Sequence, residues 1–170
     1  MSFKVAFLRT VGLEAGYSNR PADRGGETKY GISKRWYPDE DIAGMTLERA
    51  QEIYHRDYWM PLRLDSVSSE LVQAEIFDTA VNCGTRAAAK IIQRSLNFLG
   101  EKLQLDGVVG PITIARLNFW IEKDVRALFK CLNGFQFQIY ADCVAHDPAQ
   151  VENTRGWMKR IQEYNEGREK

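Results

Sequence analysis

Residues Glu14-Ala15-Gly16-Tyr17-Ser18-Asn19-Arg20-Pro21-Ala22-Asp23-Arg24-Gly25-Gly26-Glu27-Thr28-Lys29-Tyr30-Gly31-Ile32-Ser33 decide the architecture, because helix-forming sequence stops here. Glycine spends backbone entropy in a helix and proline lacks the amide that a helix needs. Gly16, Pro21, Gly25, Gly26 and Gly31 together therefore predict turns with two short strands. On the N-terminal side, Ser2 can cap a first helix whose Phe3, Ala6, Phe7 and Val11 fall on one stripe, and the pattern ends between Gly12 and Gly16. On the C-terminal side, helical spacing dominates. Thr46 opens a segment with Leu47, Ala50, Ile53 and Tyr54 inward, ending near Trp59-Met60-Pro61. Ser68 or Ser69 opens another that is apolar on most sides and stops at Gly84, which places it centrally in the core. Thr85 caps a third, and Asp106-Gly107 and Gly110-Pro111 punctuate the next loop. Helix resumes over 113–121 and again from about Asp124 to Val144, with Gly134 as its weak point. Asp147-Pro148 breaks it before a final polar helix carrying Trp157 and Ile161. The predicted class is mainly α, with one glycine-rich lobe near the start.

The chain has 170 residues, 44% of them apolar, enough for one core or for one core with a small appendage. Its 23 basic and 23 acidic side chains balance, which makes it a poor electrostatic partner for nucleic acid. Cys83, Cys131 and Cys143 form no close pair, and His55 and His146 stand far apart, so neither a zinc site nor a disulfide framework is expected. No run approaches the roughly 20 apolar residues of a membrane span, and no secretory signal precedes Thr10. The expectation is a protein made in the cytoplasm. If its substrate lies beyond the inner membrane, another protein, such as a holin, must release it.

Within the lobe, Glu14 follows an apolar helix. A helix C-terminus carries partial negative charge, and apolar neighbours such as Leu13 desolvate a carboxylate. Both effects raise its pKa, as a general acid at neutral pH requires. Asp23 follows across a turn, and Thr28 could position a water. One protonated and one ionised carboxyl group is the division of labour that glycoside hydrolysis uses. The same residues would serve equally as a helix cap or ion pair at Glu14, an Asx turn at Asp23 and a turn filler at Thr28. Spacing alone favours that plainer reading.

The ordered pattern Glu-x-Gly-Tyr-x-Asn-x-Pro-x-Asp-x-Gly-Gly-x-Thr-x-Tyr-Gly-Ile-Ser resembles the opening motif of glycoside hydrolase family 108, the N-acetylmuramidases of prophages and secretion loci. The family's acid falls on Glu14, and Ala15 stands where the family carries a glycine. The spacing from Glu14 to Asp23 is also similar to that of the Glu, Asp, Thr triad of phage-type lysozymes, with Thr28 one residue short of the expected place. Phe77 to Gly84, Ile92 to Asn97 and Asp106-Gly107-Val108-Val109-Gly110-Pro111-Ile112-Thr113 resemble the peptidoglycan-binding segment usually paired with this family. The resemblance implies a lysozyme-like catalytic segment over 1–92 and a helical peptidoglycan-binding segment over 93–170, packed as one unit. It also implies cleavage of the β-1,4 bond between N-acetylmuramic acid and N-acetylglucosamine in the periplasm or cell wall, with no cofactor or metal.

Among other candidates, Asp78 and Asn82 lie one turn apart on the central helix, where they must be hydrogen-bonded or line a cleft. Core bonding and sugar contact serve them equally. Glu75, one turn before Asp78, favours structural pairing. Tyr30 and Trp59 could stack on pyranose faces, though aromatics near helix ends are more often core. Contact is favoured for Tyr30, while for Trp59 core and contact stand equal. His55 reads as a solvated helix residue. The nearest rival activity is that of a lytic transglycosylase, in which a lone Glu serves as acid and then base. A non-catalytic, wall-binding or secretion-assisting protein is the rival from another class.

Overall fold

The computed structural model describes residues 3–12, 16–19 and 26–161. Helix α1 (Phe3–Val11) is ended by Gly12, whose φ of 79° suits glycine and whose amide donates to the Leu8 carbonyl at 3.0 Å. The expected strands are a two-stranded antiparallel hairpin, β1 (Thr28–Lys29) and β2 (Ile32–Ser33), with Lys29 opposite Ile32. Tyr30 and Gly31 make its turn at φ of 51° and 75°. Helix α2 (Leu47–Tyr54) starts where Thr46 accepts a hydrogen bond from the Arg49 amide at 3.1 Å. It runs on as a wide π turn, His55–Trp59, then a 3₁₀ turn, Met60–Leu62.

Helix α3 (Glu70–Cys83) is capped by Ser69 and closed by Gly84 at φ 88°, and α4 (Thr85–Phe98) follows directly. Gly84, rather than Thr85, occupies the cap position of α4. The two helices expected over 113–121 and 124–144 are one element, α5 (Pro111–His146), interrupted at Asp124, whose φ of −162° and ψ of 81° are not helical. The Asp124 carboxylate accepts from the Ala127 amide at 2.9 Å and so caps the second stretch. A 3₁₀ segment, Pro148–Asn153, and the short α6 (Thr154–Met158) turn back towards α5.

One core joins these elements. At one end, Phe3, Phe7, Tyr54, Trp59 and Phe77 meet edge-on or tilted, with ring centroids 5.3–6.4 Å apart. At the other, Ile91, Ile92 and Leu96 of α4 are buried with Leu117, Leu128 and Leu132 of α5. Helix α3 packs against α1, α4 and α5, which accounts for its apolar residues on most sides. Among the described residues no helix is long and apolar enough to cross a membrane, and no cluster of metal-ligating side chains is present.

Candidate functional site

Glu14 and Asp23, the expected carboxyl pair, lie outside the described residues. The described residues that flank them in the sequence are ordered by a few hydrogen bonds. Ser18 and Thr28 exchange both backbone hydrogen bonds at 2.8 Å, which ties the chain after Gly16 to β1. Tyr17 donates its hydroxyl to Glu27 at 2.7 Å across the same bridge. Thr28 is half-buried, and its hydroxyl donates to the Gly26 carbonyl at 3.2 Å, leaving lone pairs able to accept from a water. The hairpin is seated on α2. Tyr54 donates to the Tyr30 carbonyl at 3.0 Å, and a Cβ on Gly31 would stand 2.5 Å from that same hydroxyl oxygen. Tyr30 is half-buried against the core, with the Lys29 ammonium 5.8 Å from its ring.

The polar residues of α3 form a second cluster. Asp78 is 8% exposed and receives Arg160 Nη1 at 2.5 Å, from just beyond α6. Burial raises its pKa, while the Arg160 charge and the Thr10 hydroxyl of α1 pull it back down. Asn82 accepts from the Tyr140 hydroxyl at 2.9 Å, and the Gln136 amide donates to that hydroxyl at 2.8 Å. Trp157 stacks on Tyr140 with ring centroids 4.9 Å apart and planes 11° apart. Asp78 and Asn82 are thus held by the C-terminal half, and Thr10 places Asp78 beside the end of α1, four residues ahead of Glu14 in the chain.

Three expectations are corrected here. Trp59 is 1% exposed, its indole N–H donates to Asp65 at 2.8 Å, and it packs on Phe3 and Phe77, so it offers no face to a sugar. The wide turn is the cause: Met60 bonds back five residues to His55, which carries Trp59 inward after Tyr54. Glu75 is not paired. It is 3% exposed among Ile76, Ala88, Ile91, Ile92 and Leu132, and among the described residues neither carboxyl oxygen has a hydrogen-bond partner. Burial first, and Asp78 second, push its pKa up to about 8. His55 is half-buried, meeting the Phe3 ring edge-on at 4.8 Å. Sequence reasoning missed Arg160, Tyr140 and Gln136 altogether. Their only signal was polarity on helices that otherwise read as apolar or as a solvated end.

Two family models divide the chain. Residues 7–84 match glycosyl hydrolase 108, and residues 87–162 match the predicted peptidoglycan domain. The chain thus resembles a family 108 glycosyl hydrolase region followed by a peptidoglycan domain, in that order. The junction falls at Gly84, where α3 hands over to α4. The structure of Brucella abortus SagA matches with a TM-score of 0.71, covering 94% of this chain and 88% of that one, at 22% identity. That likeness bears on the fold, which is mainly α and lysozyme-like. No curated protein matches the chain. The two matches together support a lysozyme-like protein of the glycoside hydrolase class with peptidoglycan as its substrate. The contact between Asp78 and Arg160 joins the two regions directly.

Proposed function

We propose that the protein is an N-acetylmuramidase that hydrolyses the β-1,4 bond between N-acetylmuramic acid and N-acetylglucosamine, with Glu14 as general acid. The observation that carries this is the family 108 match, which spans the whole motif from Glu14 to Ser33 and is followed at once by a peptidoglycan domain. The described flanks are consistent with the roles. Gly12 ends α1, so Glu14 follows the helix C-terminus by two residues in the sequence. Thr28 is fixed in β1 with hydroxyl lone pairs to spare for a water.

In the reaction, Glu14 gives its proton to the glycosidic oxygen as the bond from C1 breaks. Asp23 faces the positive charge left on the ring or orients the water that completes hydrolysis, with Thr28 assisting. Tyr30, on the turn of the hairpin, is assigned the substrate contact on the lobe side. Mass spectrometry of the soluble products from purified peptidoglycan tests the assignment. Reducing N-acetylmuramic acid ends are expected. Anhydro ends would instead make the protein a lytic transglycosylase, and reducing N-acetylglucosamine ends would assign the other β-1,4 bond.

A further inference from the structure

The peptidoglycan domain carries a groove of about 340 Å³ between the end of α4 and the second stretch of α5, lined by Phe98, Lys130, Cys131, Gly134, Phe135 and Gln138. Gly134 is what makes it open. Glycine inside a helix costs up to a kilocalorie relative to alanine, so its presence there calls for a reason. Conformation does not supply one, because Gly134 lies in regular helix with no positive φ. Close packing does not either, since a Cβ there would meet no atom within 4 Å. The missing side chain leaves room for something other than this chain. Lys130, Gly134 and Gln138 stand one turn apart on a single line, so the floor runs about 12 Å along the helix. That is the length of three or four extended residues.

We propose that this groove binds the stem peptide of peptidoglycan, a reading that rests on the wall as the protein's substrate. The lining is apolar, with one ammonium and one carboxamide, which is too few polar groups for a saccharide ring bearing several hydroxyls. It suits a peptide rich in alanine methyls and bearing carboxylates. Among the described residues no carboxylate pairs with Lys130, which is exposed at one end of the floor. At the other end, the Gln138 amide is engaged by Asp142 at 2.8 Å, leaving its carbonyl to accept from a backbone amide. Phe98 is 74% exposed, yet its ring is steadied edge-on by Phe135 at 6.3 Å, as a wall for methyl groups requires.

The test is co-sedimentation of full-length protein carrying Glu14→Gln, so that the wall is not digested, with purified sacculi and with glycan strands stripped of peptide by an amidase. Gly134→Phe fills the groove, Lys130→Glu reverses its charge, and Gly134→Ala fills the floor by a single methyl group. The expected result is at least a tenfold loss of affinity for sacculi with Gly134→Phe and Lys130→Glu. Affinity for stripped glycan should be unchanged, and Gly134→Ala, which adds only a methyl group to the floor, should lose less affinity for sacculi than Gly134→Phe. Circular dichroism melts of each variant separate loss of the groove from loss of fold. Undiminished binding of folded Gly134→Phe to sacculi would overturn the proposal, as would equal loss on stripped glycan, which would make the groove a sugar site. Failure of the parent chain to hydrolyse peptidoglycan would overturn the muramidase assignment while leaving these binding results to stand or fall separately.

Discussion

Glu75 makes the stability of this protein depend on pH in a direction opposite to that of an ordinary surface carboxylate. Its side chain lies among apolar residues of α3, α4 and α5 with no partner for either oxygen among the described residues, and burial pushes its pKa from 4.5 to about 8. The folded protein therefore holds this proton to higher pH than the unfolded chain does. Its stability is full below about pH 4.5 and drains away as the pH rises through 8. At about 1.4 kcal/mol for each pH unit, the loss across that window is roughly 5 kcal/mol, and about 3 kcal/mol is already gone at neutral pH. Replacing the carboxyl with an amide of the same shape removes the titration and leaves the packing. Glu75→Gln should thus match the parent near pH 4.5 and exceed its unfolding free energy by about 3 kcal/mol at pH 7. Urea denaturation of both proteins at half-unit steps from pH 4.5 to 8.5 reads the difference directly. Two curves that stay parallel across the range would refute the reasoning, since they would mean that Glu75 ionises alike in the folded and unfolded chain.

Other outcomes follow from the same contacts. Arg160→Gln removes the cation beside Asp78, and leaving that carboxylate buried without it should cost about 2 kcal/mol in thermal denaturation; with Asp78→Asn the two losses should fall short of additive by about 1 kcal/mol or more. Gly31→Ala forces a Cβ to within 2.5 Å of the Tyr54 hydroxyl at a positive φ, so it should destabilise by about 1–3 kcal/mol in the same assay, with Tyr54→Phe relieving part of the cost in the double variant. Asp124→Ala removes the cap at the break in α5 and should cost about 1 kcal/mol in urea denaturation.

The sequence revealed what short-range chemistry controls. Thr46 and Ser69 cap the helices they were read to open, Gly84 ends α3, and the glycines before Ser33 leave a two-stranded hairpin between helices. The break near Asp124 was visible as a lapse in helical spacing, though not that the chain would bend rather than stop. Long-range pairing was hidden. Arg160 meets Asp78 across 82 residues, and no periodicity links a charged residue near the C-terminus with one in the central helix. For Trp59 the sequence left core packing and sugar contact equally open, because the π turn that carries it inward is a change that spacing cannot announce. Pairing was favoured for Glu75 from its place one turn before Asp78, whereas the described residues supply no partner. Glu14 and Asp23 were legible only through their place in an ordered motif, and their chemistry rests on it.

The most direct test of the central claim is the clearing of purified peptidoglycan by the parent protein and by Glu14→Gln at equal concentration, with circular dichroism showing both folded. Loss of the general acid should slow clearing by a factor of at least about 100. Clearing at the parent rate by folded Glu14→Gln would contradict the account, because the proton for the glycosidic oxygen would then have to come from another residue.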